Sequence, residues 1–271
     1  MPPTIADAKC VLVIGATAGI GRELALKIHA LPSHPTVIVA GRRQERLAEL
    51  ASLSEKDGRG KLITAQLDIN AERDVLVQSI RSLIEEHPEL DAVIFSAAIQ
   101  FVEDFRKPEE IDLDALSTEI NMNYTAVVTM MVKGFLPHFL KLGEQGRDTF
   151  LVLITSSLAI VPAPWVANYS ATKAAIHSLC LAMRVPLKEK NIHVIELSPP
   201  LVESELHDHQ GTTPALSKIW MPLDEFIPAA MEGLLRGDPH IAVGRANGLY
   251  EQFEKDKMDT VQKFFDSRRD L

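Results

Sequence analysis

Short, unbroken apolar runs alternate along this chain with longer stretches of helical periodicity. The runs that we interpret as strands are 10–15 (CVLVIG), 36–41 (TVIVAG), 61–69 (KLITAQLDI), 91–98, 149–157 and 192–198. Nearly continuous Val, Ile and Leu without polar alternation indicates strands that are buried on both faces, as in a parallel sheet covered by helices. Alternating β and α units then predict a doubly wound α/β (Rossmann) fold with right-handed crossovers.

The regular pattern loosens after Ser198. Residues 199–222 are rich in proline, glycine and polar residues, with scattered large apolar ones. A segment of this kind inside a regular α/β fold is more often functional than idle, so we predict a substrate lid there. A helix over 224–236, a short strand near 240–244 and an amphipathic tail follow, which gives about seven strands with helices on both faces. We find no linker or repeat, and we expect residues 1–271 to form a single domain.

The charge and composition of the chain argue against several classes of partner. The formal net charge is −9, which disfavours nucleic acid or an anionic membrane as the main partner. No apolar run approaches the roughly 18 residues of a membrane helix, and the first residues lack the pattern of a signal peptide. Cys10 and Cys180 lie in apolar segments, as expected for buried reduced thiols. We therefore expect a cytoplasmic protein.

A glycine-rich loop follows the first predicted strand and opens the first predicted helix. It contains Gly15, Gly19 and Gly21. Glycine lets the backbone turn tightly and approach a ligand, and a helix N-terminus offers free N–H groups to a diphosphate. A glycine trio alone can be an ordinary βα turn, but the strand–loop–helix context predicts nucleotide binding. We include Thr17 and Ile20 of this loop among the cofactor contacts.

The end of the second predicted strand indicates which dinucleotide binds. In NAD-binding folds an acidic residue about 20 positions after the glycine loop binds the ribose 2′-OH. Here that position falls at Gly41, followed by Arg42 and Arg43. Arginine suits a phosphate by its charge and its forked donors, and the alternative is an arginine in solvent at a helix start. The sequence thus predicts NADP (NADPH) as the cofactor.

Tyr169 and Lys173 share one face of a predicted helix because they are four residues apart. A free tyrosine has a pKa near 10 and is a poor acid–base catalyst at neutral pH. A neighbouring ammonium and an oxidised nicotinamide could together lower that pKa. Ser156 lies 13 residues upstream of Tyr169, at the predicted carboxyl end of a buried strand, where ligands of open α/β sheets bind. Ser157 is the alternative, but it lies only 12 residues upstream of Tyr169, and we prefer Ser156 for its spacing.

Taken together, these motifs resemble the short-chain dehydrogenase/reductase family. The match covers most of residues 10–206 and includes Gly15-x-x-x-Gly19-x-Gly21, Asn123, Ser156 and Tyr169-x-x-x-Lys173. The resemblance implies that Tyr169 donates and accepts the proton and that Ser156 holds the substrate oxygen. It also implies that Lys173 binds the nicotinamide ribose and lowers the tyrosine pKa, and that Asn123 anchors a water of the proton relay.

The resemblance implies further cofactor contacts as well. Asp68 matches the family residue that meets the adenine, and Val202 and Ser204 match the stretch that covers the nicotinamide. Ala97 belongs to the loop beside the cofactor. That loop departs from the family, because residues 95–98 are Phe-Ser-Ala-Ala in place of Asn-Asn-Ala-Gly. After the sixth strand, Pro199-Pro200 also replaces the Pro-Gly of the family. This pair and the sequence YSATKAAIHS (169–178) together resemble a DltE-like sub-branch.

The resemblance implies an NADP(H)-dependent oxidoreductase that interconverts a carbonyl and an alcohol. Residues 158–166 and 199–222 look apolar, which favours a hydrophobic ketone, aldehyde or alcohol. A non-redox lyase, epimerase or cyclase on the same site is the alternative, as is a binding protein that senses the cofactor without turnover.

Two further expectations concern oligomers and metals. Long helices around 112–142 and 168–190 flank the predicted site, and in the family they commonly pack against their counterparts, which implies a homodimer or homotetramer. The histidines of residues 207–209 (His-Asp-His) stand without a cysteine or carboxylate cluster. Because metal sites need several such ligands, we expect no metal site.

Overall fold

The strands form one parallel sheet. The computed structural model describes residues 2–57 and 62–268, which contain β1 (Cys10–Ile14), β2 (Thr36–Gly41), β3 (Leu62–Gln66), β4 (Ala92–Phe95), β5 (Thr149–Ile154), β6 (Ile192–Ser198) and β7 (His240–Ala242). Their order across the sheet is β3-β2-β1-β4-β5-β6-β7. The predicted doubly wound fold is therefore confirmed. The predicted third strand began at residue 61, which lies outside the described residues, and it continued to residue 69, three residues beyond the end of β3.

Helices of the described residues fill the connections between the strands. They are α1 (Gly19–His29), α2 (Gln44–Asp57), α3 (Arg73–Glu86), α4 (Leu113–Ile120), α5 (Ala126–Met130), α6 (Leu136–Glu144), α7 (Ala167–Lys188), α8 (Thr213–Leu216), α9 (Leu223–Arg236), α10 (Arg245–Phe253) and α11 (Lys257–Asp266). Two π-helical segments, Asn121–Thr125 and Met131–Phe135, join α4, α5 and α6 into one run. Among the described residues, no helix is long and apolar enough to cross a membrane.

Two apolar layers cover the two faces of the sheet. Val11 and Val13 of β1 belong to one layer, whereas Leu12 and Ile14 belong to the other, because successive side chains of a strand point to opposite faces. The first layer packs against α1 and α9, and the second packs against α3 and the α4–α6 run. With both faces covered, ligands can reach this sheet at the carboxyl ends of its strands.

Residues 199–222 form a loop that closes on itself at its base. Val202 and Met221 form an isolated parallel bridge, and Met221 N donates to Leu201 O at 2.8 Å. Between these points lie a 3₁₀ helix, Glu205–Gln210, and α8. The loop starts directly after β6, which places it at the carboxyl edge of the sheet.

Candidate active site

A cavity of about 570 Å³ opens at the carboxyl edge of the sheet. Residues predicted from separate motifs line this one space; they are Gly15, Thr17, Gly19, Ile20, Arg42, Arg43, Ala97, Ser156, Tyr169, Lys173, Val202 and Ser204. The chain therefore brings the glycine loop, the two arginines and the tyrosine–lysine pair together, although they come from distant parts of the sequence.

The glycine loop packs directly against the loop that follows β4. Gly15 has φ +88°, and a Cβ atom on it would lie 2.5 Å from Ala97 N. A Cβ on Gly21 would lie 2.4 Å from Gly15 O and 2.8 Å from Ser96 Oγ. Such contacts are closer than a side chain tolerates, so these two positions require glycine. Residues 96–98, which differ from the family sequence, therefore lie in close contact with the glycine loop.

Arg43 is held over the glycine loop by hydrogen bonds. Its Nε and Nη2 atoms donate to Thr17 Oγ1 at 3.1 and 2.9 Å. Its Nη1 atom pairs with Glu205 of the 199–222 loop, and the same carboxylate lies 3.5 Å from Arg46 Nη2. Arg42 is exposed and lines the cavity beside it. This end of the cavity therefore carries two guanidinium groups and one carboxylate.

Asp68 lies beside the cavity at the end of the segment after β3. It is exposed, and its Oδ1 atom accepts a hydrogen bond from Asn70 N at 2.9 Å. Its neighbours Leu67 and Ile69 line the cavity. Asp68 therefore fixes the local turn, and its expected contact with the adenine stays a prediction.

Asn123 lies behind the cavity wall in the π-helical segment after α4. Its side chain bonds both backbone groups of Ile99, with Oδ1 accepting from N at 2.9 Å and Nδ2 donating to O at 2.8 Å. Nδ2 also lies 3.2 Å from Thr172 Oγ1, one residue before Lys173. Asn123 thus ties the loop after β4 to α7. Its predicted role in a water relay stays a prediction.

Tyr169 and Lys173 face the cavity from α7, and Ser156 faces it from the end of β5. Lys173 Nζ lies 5.6 Å from the centre of the Tyr169 ring and donates to Ile154 O at 2.9 Å. The Ser156 side chain lowers the pKa of the Tyr169 phenol. Ser157 also lines the cavity, but Ser156 is the serine that acts on the tyrosine.

Burial dominates the proton affinities at this site. It raises the pKa of Tyr169 above its ordinary value, and the charge of Glu119 raises it further. Burial lowers the pKa of Lys173 to about 8, which Glu119 opposes. The protein groups alone therefore keep Tyr169 protonated at neutral pH. The lowered pKa that Lys173 and an oxidised nicotinamide together could produce concerns the cofactor-bound protein and stays a prediction.

Glu119 is a buried residue of the site that the sequence analysis missed. It is 0% exposed, and its carboxylate accepts hydrogen bonds from Asn168 Nδ2 at 2.5 Å and Phe101 N at 2.9 Å. Burial raises its pKa to about 7. The sequence did contain a signal for Glu119: it lies four positions before Asn123, and two residues at this spacing share one face of a helix.

The 199–222 loop is bonded to both ends of the cavity. Glu205 pairs with Arg43 at the arginine end. At the other end Gln210 Oε1 accepts from Val102 N at 2.9 Å, and the loop also contributes cavity-lining residues. The wall near Tyr169 is mostly apolar and is formed by Ile99, Leu158, Ala163, Trp165, Val166, Leu206, Leu216 and Ile219.

Known proteins resemble this chain in sequence or in fold. The uncharacterized oxidoreductase DltE of Bacillus subtilis is 33% identical over 91% of this chain and 92% of its own length. A short-chain dehydrogenase from Sphingobium yanoikuyae, solved in complex with NADPH, aligns with a TM-score of 0.78 at 20% identity, over 96% of this chain and 95% of that one. The bulky-bulky ketone specific alcohol dehydrogenase from Comamonas testosteroni aligns with a TM-score of 0.74 at 18% identity, over 97% and 95%.

The family match covers most of the chain. Residues 9–215 match the family described as short chain dehydrogenase, and this range contains every predicted catalytic residue. The similarity to DltE also extends over most of both chains. Both matches agree with the seven-stranded fold and with the residues that line the cavity. The chain therefore belongs to the short-chain dehydrogenase/reductase family and is a DltE-like dehydrogenase/reductase that acts on CH–OH or C=O groups.

Proposed function

We propose that this protein is an NADP(H)-dependent oxidoreductase that interconverts a hydrophobic ketone or aldehyde and the corresponding alcohol, with Tyr169 as the acid/base. One observation carries the proposal: Ser156, Tyr169 and Lys173 line the same cavity as the glycine loop and the two arginines. The glycine loop and the arginines would hold the phosphates of a dinucleotide, and Tyr169 and Lys173 would lie beside its nicotinamide.

The residues at the glycine loop fit a dinucleotide. Helix α1 starts at Gly19, and Ala18 before it has no side-chain acceptor for the first N–H groups of the helix. Free N–H groups at a helix start suit a diphosphate. Arg42 and Arg43 line the cavity where β2 ends, as a ribose 2′-phosphate requires. The Sphingobium neighbour was solved with NADPH, which supports the same choice.

The side chains beside Tyr169 support carbonyl reduction. When bound, NADPH supplies the hydride. Ser156 can donate a hydrogen bond to the substrate oxygen, and the neutral Tyr169 holds the proton that this oxygen needs. An alkoxide is a stronger base than a phenolate, so proton transfer from Tyr169 runs towards the alcohol. Lys173 is anchored on Ile154 O, with its Nζ atom 5.6 Å from the centre of the Tyr169 ring, and would bind the nicotinamide ribose.

The substrate side of the cavity favours an apolar molecule. Its walls carry Trp165, Leu206 and Ile219 among other apolar side chains, and binding sites of this type take most of their affinity from apolar burial. The Comamonas neighbour is described as specific for bulky-bulky ketones. We propose that residues 199–222 close over the bound substrate as a lid, since they are bonded to both ends of the cavity.

The proposal is tested by following the near-ultraviolet absorbance of NADPH with a panel of ketones and aldehydes of increasing apolar size. We expect substrate-dependent loss of NADPH and recovery of the alcohol, with larger apolar carbonyls reduced faster than small polar ones. Conversion of a substrate without any change in NADPH would point to the non-redox alternative. Absence of turnover across the panel, with NADPH bound, would support the binding-protein alternative instead.

We also propose that the protein is a homodimer or homotetramer in the cytoplasm. The α4–α6 run leaves large apolar side chains exposed, with Leu113 at 71%, Ile120 at 45% and Val132 at 49%. Apolar surface gathered along one helical run is typical of an association face.

A further inference from the structure

A buried polar cluster lies one helical turn beyond Lys173 on α7, and none of its four residues lines the cavity. It joins His177 of α7, Glu196 of β6, His240 of β7 and Glu254, the residue after α10. The side chains of Glu196, His240 and His177 are 0%, 2% and 7% exposed. Four separate parts of the fold therefore contribute to one buried set of imidazoles and carboxylates, which the proposed reduction does not use.

Glu196 lies between the two histidines. Its Oε1 atom is 2.8 Å from His177 Nδ1, and its Oε2 atom is 3.2 Å from His240 Nδ1. The two imidazole rings are 6.2 Å apart between centres and meet at 88°. One ligand atom from each of the three side chains lies within 4.8 Å of the others. These three side chains thus converge on one point.

His240 is the member that hydrogen bonding leaves unexplained. Neither of its ring nitrogens makes a hydrogen bond with any residue that the structure describes, although both are buried. Its contact with Glu196 is short enough but lacks the geometry of a hydrogen bond. A buried polar atom without a partner costs free energy, and most such atoms in proteins have one. The charge contact with Glu196 at 3.2 Å is therefore the only polar partner of this ring among the described residues, and a metal ion between the two groups would satisfy both.

The other groups around the cluster match the surroundings of a metal ligand. His177 Nε2 lies 2.9 Å from Glu254 Oε2, and metal-binding histidines commonly donate their second N–H to a carboxylate. Thr155 donates to Glu196 Oε1 at 2.7 Å, whereas Oε2 lies 3.0 Å from His177 Nδ1 and 3.2 Å from His240 Nδ1. Lys257 Nζ, 2.6 Å from Glu254 Oε1, balances the charge of that outer carboxylate.

We propose that His177, Glu196 and His240 bind a divalent transition-metal ion, for which Zn²⁺ is the best-suited common ion. Two imidazoles and one carboxylate, with a fourth position open to water, are an established Zn²⁺ ligand set. Donor atoms about 2.1 Å from a tetrahedral ion lie about 3.4 Å from one another. The 2.8 and 3.2 Å separations in the cluster are shorter than that value, and all three ligand atoms lie within 4.8 Å of one another, so the side chains would shift around the ion when it binds.

The position of the site assigns it a structural role. An ion there joins α7, β6 and β7 one helical turn after Lys173, and Thr155 links the cluster to Ser156. The four residues of the cluster are separated from the cavity by Thr155, which lines it. Metal binding therefore stabilises the folded state and holds the active-site helix, and it takes no part in the proton or hydride transfer. This inference is independent of the proposed substrate and cofactor.

The first test measures metal binding by the whole protein after treatment with a chelator. Zn²⁺ is titrated by calorimetry, and Co²⁺ is followed by its visible absorption, which reports nitrogen–oxygen coordination. We expect one ion per chain and a melting temperature that rises by roughly 5 °C or more at a hundredfold excess over Kd. Lack of stoichiometric binding by a folded wild-type protein would overturn the proposal, and the cluster would then be purely hydrogen-bonded.

Variants locate the ion. His240→Gln should weaken Zn²⁺ binding by at least about a hundredfold, and Glu254→Gln, which removes only the partner of His177, by about 10- to 100-fold. Two controls should bind as the wild type does: His193→Gln, on β6 but paired with Asp148, and His209→Gln in the 199–222 loop. Loss of binding in His209→Gln with retention in His240→Gln would place the ion on the surface and refute the assignment. If His240→Gln does not fold, the Glu254→Gln affinity and the Co²⁺ spectrum decide.

Discussion

Lys173 Nζ lies 5.6 Å from the centre of the Tyr169 ring and donates its hydrogen bond to Ile154 O at 2.9 Å. The ammonium is thus fixed to the end of β5, beside the ring. The Ser156 side chain lowers the pKa of the Tyr169 phenol, against the larger raising effects of burial and of Glu119. The serine therefore acts on the proton affinity of the phenol, whereas the lysine is held in place by the strand.

Replacing Tyr169 with phenylalanine should abolish turnover without unfolding the protein. The change keeps the ring and removes only the hydroxyl, so packing and NADPH affinity should be retained. General acid–base groups typically contribute 10²–10⁴-fold, and we expect kcat to fall by at least about a hundredfold. Steady-state kinetics with a reduced carbonyl substrate measure this.

Tyr250→Phe is the matched control for that substitution. Tyr250 stacks on His240 away from the cavity, and the same loss of one hydroxyl there should leave kcat near the wild-type value. A Tyr169→Phe protein that turned over at the wild-type rate would remove Tyr169 from its proposed role.

Arg42→Ala should discriminate between the two dinucleotides. If Arg42 meets the 2′-phosphate, its loss should weaken NADPH binding by at least about 1 kcal/mol, as for a charge-assisted hydrogen bond, and leave NADH binding nearly unchanged. Titration of both cofactors by fluorescence or calorimetry measures the two affinities. Arg46→Ala is the control, because Arg46 is a partly exposed neighbour that pairs with Glu205. Equal losses for NADPH and NADH would contradict the phosphate contact.

Glu205→Gln should strengthen NADPH binding. The Glu205 carboxylate pairs with the Arg43 guanidinium. Its negative charge would repel a 2′-phosphate placed beside Arg43. The two side chains are 42% and 47% exposed, so breaking their pair costs at most about 1 kcal/mol. We expect a gain of up to about fivefold for NADPH, little change for NADH, and a smaller difference at high salt because exposed charges are screened. Weaker NADPH binding in this variant would show that Glu205 holds the loop in the binding arrangement.

The contrast between Arg43 and Glu205 shows where sequence reasoning works and where it stops. The strand pattern, the glycine loop and the tyrosine–lysine spacing are local. The strand pattern predicted the fold, and the local motifs together with the family resemblance predicted many of the residues that line the cavity. The Arg43–Glu205 pair joins residues that are 162 positions apart, so no local pattern in the sequence predicts it. The burial of Glu119 likewise depends on its contacts with Phe101 and Asn168, so its effect on Tyr169 became visible only in the folded chain.

The exposed apolar face of the α4–α6 run should mediate self-association. Light scattering at micromolar concentration should give a mass at least twice that of one chain. Val132→Glu places a charge on a side chain that is 49% exposed, and it should shift the protein towards the monomer because an apolar interface excludes an unpaired charge. Leu53→Glu on α2, at 40% exposure, is the control and should leave the mass unchanged. A wild-type protein that is monomeric under these conditions would contradict the proposal.

Glu119 should make the stability of the protein depend on pH in a specific direction. Burial raises the pKa of Glu119 from its ordinary 4.5 to about 7, so between these values the folded chain holds a proton that the unfolded chain releases. The favourable contribution of this proton is therefore complete below about pH 4.5 and is lost as the pH rises through about 7. The slope from one such group is at most about 1.4 kcal/mol per pH unit.

Glu119→Gln removes this titration while keeping a side chain of the same shape. We expect the melting temperature of the wild type to fall between pH 5 and pH 8 by several degrees more than that of Glu119→Gln. Thermal denaturation across this range measures the difference between the two curves, in which other titrating groups cancel. Glu110→Gln is the control, because Glu110 is an exposed carboxylate paired with Lys107, and its curve should run parallel to that of the wild type. Parallel curves for Glu119→Gln and the wild type would mean that Glu119 is ionised in the folded protein across the whole range. Glu119 would then act on the pKa of Tyr169 with its full negative charge throughout this range.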